Sequence, residues 1–419
     1  MNINFMPLNH HSSYLKNLEK LKDTSSFTLI ELLVVIALLS ALSVGVILVI
    51  NPAELIKQSR DATRLSDLQN INKSLGLLLV DCPQCSFGSS SVVYVSIPDT
   101  SPTCANLGLP SLPSGWSYSC SSPSNYSKID GTGWIPVDFT KFSSGSPLSK
   151  LPVDPINKTS TGNYYTYVTG GSWALSSLFE SQKYLKDKAL TDGGYNPAKY
   201  EIGSDFKLIA QSEGLVGWWS FDEGSGTIAY DRSGNNNNGT LINGPTWTQG
   251  KVGGALSFDG VDDYVDIGNK LNQGVSNFSI SVWINAYNPI NNSLIIGKGT
   301  WNYKSWGLWM SQQKARMELK VENPPGTIQA VDSQTIFANQ WYHVVATIDR
   351  NSDLSIFTNG KLTQKVSLSN IAGYSFDNLL TLSMGYGAPG PFQGYLDDVR
   401  IYNRALSPAE IKAIYDATK

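Results

Sequence analysis

Predominantly apolar residues run from Phe27 to Ile50, and Glu31 is the only charged residue among them. As a helix this stretch would be about 36 Å long, enough to cross a hydrocarbon core about 30 Å thick. The pattern therefore predicts a transmembrane helix. An unpaired carboxylate is costly in lipid, and the stretch contains no basic residue. We therefore expect Glu31 to have a partner outside its own helix.

After Pro52 the apolar residues recur every three or four positions, as at Leu65, Leu68 and Leu75. This spacing predicts an amphipathic helix, so residues 27–80 should form one long helix, bent at the proline. Lysines shortly before the apolar stretch predict a cytoplasmic N-terminus with everything after the stretch outside the membrane. The chain is thus expected to be a single-pass membrane protein.

Residues 81–212 lack a long periodic pattern and are rich in turn residues, with short strands predicted at 91–97 and 133–139. The region holds every cysteine of the chain. A C-x-x-C pair is found in zinc sites, but no histidine lies nearby, and disulfides suit an exported segment better. Three pairings are possible, and the spacing does not choose among them. The cysteines are Cys82, Cys85, Cys104 and Cys120.

From residue 213 onward the pattern is one of short, alternating, aromatic-rich strands, such as 279–284 and 354–359. This indicates an all-β sandwich of two sheets, separated from the preceding region at Gln211–Gly214. The final segment, Ser407–Tyr415, is predicted to be a helix, because Ser407 can cap it and a proline follows.

Composition narrows the possible functions. The net charge is −3 and charged residues make up 16%, with no basic cluster, so a nucleic-acid partner is not expected. Only three histidines occur, and two of them precede the apolar stretch, which excludes a multi-histidine metal site or a histidine triad after it. The remaining one, His343, lies in a predicted strand and is expected to be structural.

Aromatic residues crowd between Gly299 and Met310, and their faces can stack on the C–H surfaces of sugars. Trp306 and Trp309 are expected to pack in the core. Residues in predicted loops are the better ligand candidates, namely Trp301, Tyr303 and Tyr386. A retaining glycosidase needs two carboxylates about 5 Å apart, whereas Glu318 and Glu322 would lie about 13 Å apart on one face of a strand, so we expect no enzyme.

The segment Ser26–Ile36 resembles the N-terminus of type IV prepilins and type II secretion pseudopilins. The resemblance implies that a prepilin peptidase cuts between Ser26 and Phe27 and methylates the new amine. It also implies that Glu31 pairs with the N-terminal amine of a neighbouring subunit during filament assembly. The family has glycine where this chain has Ser26.

Further on, Leu151–Asn157, Tyr164–Val168 and Trp173–Leu178 resemble the C-terminal β-region of major pseudopilins. The expected organisation is therefore a leader over 1–26, a pilin helix over 27–80 and a pilin-like globular region over 81–212. The usual acidic calcium loop of the family is not visible.

The region 213–419 resembles laminin-G-like, concanavalin A-like jelly rolls. The resemblance rests on Gly217–Gly226, Gly253–Gly260 and Gly394–Tyr402. It implies a structural Ca²⁺ held by Asp397 of the last strand and by the opening corner at Asp222 and Glu223.

Together these patterns predict a surface-exposed pilin-like subunit of a filament that displays a jelly roll for adhesion or carbohydrate binding. Its expected partners are a prepilin peptidase, other pilin or pseudopilin subunits, the membrane, and a carbohydrate or cell-surface protein. An alternative is a pseudopilin of a type II secretion-like machine whose jelly roll contacts cargo. A membrane-anchored polysaccharide hydrolase is the third alternative.

Overall fold

The structure is a computed structural model. It describes residues 28–272, 274, 276–289, 292–298, 305–321, 328–371, 373–375, 382–385 and 390–419, without the side chains of 41–50 and 328. The chain divides into two compact units, Met1–Ile56 and Lys57–Lys419.

The first unit contains helix α1, Leu29–Ile50. Thr28 caps it, because its hydroxyl accepts a hydrogen bond from the Glu31 backbone N–H while the Glu31 carboxylate accepts from Thr28 in return. The helix ends where Asn51 adopts a left-handed conformation, with φ of 45°. Residues 27–80 are therefore not one continuous helix. Across the part of the chain that the structure describes, no helix is long and apolar enough to span a membrane.

Helix α2, Pro52–Asp81, leads into an α/β region that we call the head, residues 57–213. Its five-stranded sheet has the order β2-β1-β3-β4-β5, in which β1 and β2 are parallel and the other pairs antiparallel. Two short helices follow, α3 at Gln182–Tyr184 and α4 at Lys207–Glu213. The strands are β1 Val92–Val95, β2 Ser117–Cys120, β3 Tyr165–Thr169, β4 Trp173–Leu178 and β5 Lys199–Gly203.

Both faces of this sheet are buried. The apolar stripe of α2, including Leu68, Ile71 and Leu75, packs on one face with Tyr165 and Leu175. Helix α4 and the loop bridged by Cys104 and Cys120 cover the other face. The strand predicted at 133–139 does not form; only an isolated bridge joins Asp130 to Asp138, because these polar residues fold back in tight turns.

Residues 215–402 form a two-sheet sandwich, which confirms the all-β expectation. The front sheet has the order β19-β18-β17-β12-β21-β10-β9, with β6 also paired to β21. The back sheet has the order β16-β15-β14-β13-β20-β11-β8-β7. The strands are β6 Leu215–Trp219, β7 Ile228–Ala229, β8 Gly239–Ile242, β9 Thr246–Gln249, β10 Gly254–Asp259, β11 Tyr264–Gly268, β12 Phe278–Ala286, β13 Ser293–Lys298, β14 Ser305–Ser311, β15 Lys314–Lys320, β16 Ile328–Thr335, β17 Trp341–Ile348, β18 Asp353–Thr358, β19 Lys361–Ser367, β20 Leu382–Met384 and β21 Gln393–Tyr402.

The outer face of the front sheet is also covered along much of its length. Every residue of β12 is buried, with Ile280, Val282 and Ile284 facing the sandwich core. On the opposite face Trp283 contacts the closing helix α5, Pro408–Thr418, through Tyr415 and Thr418. This helix has the capping serine that the sequence predicted.

The head and the sandwich meet at this covered face. Arg404 donates to the Glu213 carbonyl at 2.6 Å, and Arg400 donates to the Tyr195 carbonyl at 2.6 Å. Ala417 of α5 belongs to the hydrophobic core of the head. Helix α5 therefore packs against both parts of the second unit.

Candidate functional site

A cleft of about 290 Å³ lies on the outer face of the back sheet. Strands β14 and β15 supply most of its wall, and Asn292 stands at its edge. Its lining consists of Asn292, Trp309, Met310, Ser311, Gln312, Arg316 and Glu318.

Two glycines shape the floor next to Trp309. A Cβ atom on Gly307 would lie 2.6 Å from the Trp309 Nε1 atom, so the indole ring lies across the bare backbone at that position. A Cβ on Gly297, in the neighbouring strand, would come within 2.9 Å of the Gly307 Cα. The bare backbone at Gly307 therefore makes room for the indole ring.

Arg316 is held rigidly in the wall of the cleft. Its Nε donates to Glu318 Oε1 at 2.6 Å and its Nη1 donates to Asp332 Oδ1 at 3.0 Å. Burial works against the charged guanidinium, but these two carboxylates raise the pKa of Arg316 above its ordinary value. The group of three carries a net negative charge, which disfavours an anionic ligand.

The edge of the cleft holds a side-chain amide in a fixed orientation. Ser311 Oγ donates to Asn292 Oδ1 at 2.6 Å. Its oxygen is thereby engaged, and the amide N–H₂ group of Asn292 remains as a hydrogen-bond donor. An aromatic face flanked by fixed donors and acceptors can bind a polyhydroxylated ring.

Trp306 and Trp309 are both buried, as expected, but of the two only Trp306 packs in the hydrophobic core of the sandwich. Trp306 is 1% exposed and packs in the sandwich core with Phe278. Trp309 lines the cleft instead. The two residues are three apart in one strand, and side chains an odd number apart point to opposite faces, so the spacing itself held the signal.

The sequence-predicted ligand residues Trp301, Tyr303 and Tyr386 lie outside the described residues, as do Ser26 and Phe27 at the processing site. Glu31 lies in the first turn of α1, where its Oε2 accepts from the Thr28 N–H at 2.9 Å and the Thr28 hydroxyl at 2.8 Å. The sequence analysis missed this local partner, although Thr28-x-x-Glu31 is a capping-box pattern.

Asp397 lies under the turn at 250–254. Its Oδ2 accepts from the backbone N–H groups of Lys251 and Val252, while its buried Oδ1 has no hydrogen-bond partner among the described residues. Burial, then the neighbouring Asp398 and Asp222 charges, raise the pKa of Asp397 to about 8. Such a carboxylate oxygen, buried and unpartnered, has the chemistry of a cation ligand.

The two other predicted calcium residues are Asp222, which contacts the same turn, and Glu223, which follows Asp222 in the chain. Asp222 Oδ1 accepts from the Gly254 N–H at 2.6 Å. Glu223 Oε1 accepts from the Tyr230 N–H and from Arg232, while its buried Oε2 has no hydrogen-bond partner in the part of the chain that the structure describes.

A different trio of carboxylates lies closer together. In the described part of the chain, one group of three has ligand atoms all within 4.8 Å of one another, namely Asp259, Asp262 and Asp263. Two of its members are exposed, and Asp263 Oδ2 already accepts from the Asp259 N–H at 2.9 Å. The predicted trio of Asp222, Glu223 and Asp397 does not form such a group.

The cysteines form two disulfides. Cys82 pairs with Cys85, and Cys104 pairs with Cys120. The first closes the end of α2, and the second ties a loop to strand β2.

His343 is buried, bonds to Ser281 Oγ at 2.8 Å, and stacks between ring neighbours, in keeping with a structural role.

Two parts of the chain match models of known protein families. Residues 21–47 match the prokaryotic N-terminal methylation motif. Residues 259–412 match the concanavalin A-like lectin/glucanases superfamily. The chain carries both. The prepilin-like resemblance of the N-terminus and the jelly-roll resemblance of the C-terminal region are thus confirmed, and we refer to residues 213–419 as the concanavalin A-like domain.

Three solved structures are similar to the concanavalin A-like domain. The binding domain of Paraclostridial Mosquitocidal Protein 1 is 18% identical, with a TM-score of 0.42, over 48% of this chain and 52% of that one. Domain 4 of AbnA, a GH43 extracellular arabinanase from Geobacillus stearothermophilus, in complex with arabinotriose, is 19% identical, with a TM-score of 0.40, over 48% and 98%. The ligand-binding domain of botulinum neurotoxin serotype D, in complex with N-acetylneuraminic acid, is 18% identical, with a TM-score of 0.39, over 48% and 50%. The chain thus spans about half the length of the first and third of these chains. No curated protein sequence matches it.

Proposed function

We propose that this protein is a pilin-like subunit, anchored in the membrane by residues 27–50, whose concanavalin A-like domain binds carbohydrate outside the cell. The observation that supports carbohydrate binding is the cleft at Trp309. The methylation motif at 21–47 supports the pilin-like half.

The cleft suits a neutral sugar better than a charged one. Trp309, although only 8% exposed, offers part of its ring to the cleft, and Arg316, Glu318 and Asn292 offer hydrogen-bonding groups held in place by neighbouring side chains. Because the guanidinium is already shared between two carboxylates, it has no surplus positive charge for an acidic sugar. Rigid groups of this kind lose little entropy when a ligand binds.

A glycan array probed with the purified full chain tests this assignment. We expect binding to at least one neutral oligosaccharide, weakened about tenfold or more by Trp309→Ala, equivalent to about 1.4 kcal/mol. Tyr230→Ala is the matched control, since Tyr230 is an exposed aromatic residue away from the cleft. Unchanged binding by Trp309→Ala, or release of reducing sugar from the bound glycan, would contradict the proposal.

Filament assembly can be tested separately at Glu31. Cleavage before Phe27 should give a mature N-terminus at that residue, possible to verify by mass spectrometry. We expect Glu31→Val to enter the membrane but not filaments, because the carboxylate no longer pairs with a neighbouring amine. Thr28→Ala is the control that removes the capping hydroxyl and keeps the carboxylate. Normal incorporation of Glu31→Val would refute the role.

We also propose that Asp397 and Asp222 hold a structural Ca²⁺ at the turn 250–254. The unpartnered Asp397 Oδ1 and the hard oxygen ligands of the site support this. A cation bound only by the native state stabilises it, so chelation should lower the melting temperature of the wild type and not of Asp397→Asn. Asp259→Asn should remain sensitive to chelation. If Asp259→Asn alone loses that sensitivity, the cation lies in the other acidic trio.

A further inference from the structure

The outer face of the front sheet carries a second aromatic cluster, beyond the part that α5 covers. Strand register places Asn285 of β12 directly between Trp341 of β17 and Tyr395 of β21. The Tyr395 ring lies 6.1 Å from that of Trp341, nearly parallel to it, and 5.0 Å from that of Tyr287, edge to face. Three aromatic rings therefore surround one side-chain amide.

The central amide is buried and lacks a partner for its oxygen. Asn285 is 8% exposed, and its Oδ1 accepts no hydrogen bond from any residue that the structure describes. Buried polar atoms are nearly always paired, and an unpaired one is costly to the fold. An amide retained at such a position suggests a group outside the chain that donates to it.

The chemistry of the cluster is polar but uncharged. Its members offer amide, indole N–H and phenol groups. Burial and then the hydrogen bond with Tyr395 raise the pKa of Tyr287 to about 12, which keeps its phenol neutral. Lys251 lies outside the cluster, over the Trp283 ring and 5.4 Å from its centroid. Neither a phosphate nor an acidic sugar would find a counter-charge within the cluster.

We infer that Tyr287, Trp341, Tyr395 and Asn285 form a second carbohydrate site, which takes a neutral sugar. The sugar stacks a C–H face on the aromatic rings, and one hydroxyl donates to Asn285 Oδ1. This site lies on the front sheet and the Trp309 cleft on the back sheet, so one domain can hold two glycan chains at once. Two linked weak sites raise the overall avidity for a dense glycan surface.

The test uses the purified full chain on an array of neutral and acidic oligosaccharides. In a Trp309→Ala background, we expect the remaining neutral-glycan binding to fall at least tenfold when Trp341→Ala is added. Tyr287→Ala should weaken it as well, and Trp341→Phe should retain most of it, because an aromatic face remains. The thermal transition of each variant is measured alongside. Since Tyr287 is 36% exposed, its variant decides the matter if Trp341→Ala does not fold.

A failure of this second site can be distinguished from a failure of the Trp309 cleft. An effect of Trp309→Ala concerns only the cleft on the back sheet. The second site is overturned if Trp341→Ala and Tyr287→Ala leave every signal within twofold of their parent. It is also overturned if no neutral glycan binds in the Trp309→Ala background, or if the cluster binds only another copy of the chain or another protein.

Discussion

At the scale of single residues, one arginine joins three segments of the head. The Arg64 side chain is fully buried, with Nε 2.6 Å from Asp154 and Nη1 2.6 Å from Glu180 and 2.8 Å from Asp61. Asp61 also accepts from the Glu180 and Ser181 backbone N–H groups. Helix α2 is thereby fixed to the loops before β3 and after β4.

The first prediction concerns this cluster. We expect Arg64→Ala to lower the free energy of unfolding by about 3–5 kcal/mol, because three carboxylates lose their buried partner. Arg60 pairs with Glu180 at 2.7 Å but is 28% exposed, so Arg60→Ala should cost about 1 kcal/mol or less. Urea unfolding measures both, and equal losses would contradict the assignment.

At the scale of elements, the carboxylate of Glu410 makes the stability that α5 gives to the fold depend on pH. The residue bonds to Ser407 at the start of the helix and pairs with Arg404 at 2.7 Å. Burial opposes its charge, but Arg404 and then Ser407 lower its pKa from 4.5 to about 2. The folded value lies below the unfolded one, so the stabilisation is present above the unfolded pKa and is lost as the pH falls toward the folded pKa.

The second prediction follows from this linkage. Between about pH 5 and about pH 2, the wild type should lose more stability than Glu410→Gln, which has no carboxylate to protonate. Asp187→Asn, on an exposed residue, should behave as the wild type does. Denaturant unfolding at a series of pH values measures the difference. Identical acid sensitivity in Glu410→Gln would show that the pair does not stabilise the fold.

The third prediction compares the two disulfides. The Cys104–Cys120 bridge closes a separation of 16 residues, for which the chain-entropy estimate is about 3 kcal/mol. The Cys82–Cys85 bridge closes a separation of 3 and restricts the unfolded chain less. Replacing the first pair by alanine should therefore lower the melting temperature more than replacing the second. Counting thiols on the unreduced protein should give none, and a count of four would refute both bridges.

At the scale of the whole molecule, the head and the concanavalin A-like domain share a face. Tyr402, Val345 and Ile414 form one buried cluster with Ala210 of the head, and the Tyr195 ring contacts Trp218. This shared face fixes the domain on the head, which suits a subunit that presents a binding surface.

The fourth prediction tests how much that shared face contributes to the stability of the concanavalin A-like domain. We expect residues 213–419 to fold alone, because their sandwich core is complete, but to melt at a lower temperature than in the full chain. The reason is that the isolated fragment exposes apolar surface, including Trp218 and Tyr402, to water. Calorimetry on both proteins measures this. Equal melting temperatures would show that the contact adds nothing to stability.

Much of the architecture could be predicted from local pattern. The alternation of apolar and polar residues predicted β12 and β18, and Ser407 with the proline after it predicted α5. The change in residue composition at 211–214 marked the start of the sandwich. These features depend on nearest neighbours in the chain, which the sequence shows directly. The proline likewise indicated the bend at the end of α1, although the pattern did not show that Asn51 beside it is left-handed.

The sequence by itself determined the apolar N-terminal segment, the two-sheet domain and the absence of multi-histidine chemistry after the leader. Tertiary structure alone decided the cysteine pairing, the burial of Arg64 and the gathering of Tyr287, Trp341 and Tyr395 around Asn285. The physical reason is separation along the chain. Asn285 and Tyr395 are neighbours only because β12 and β21 pair, and strand order is set by the packing of the whole sandwich rather than by any one segment.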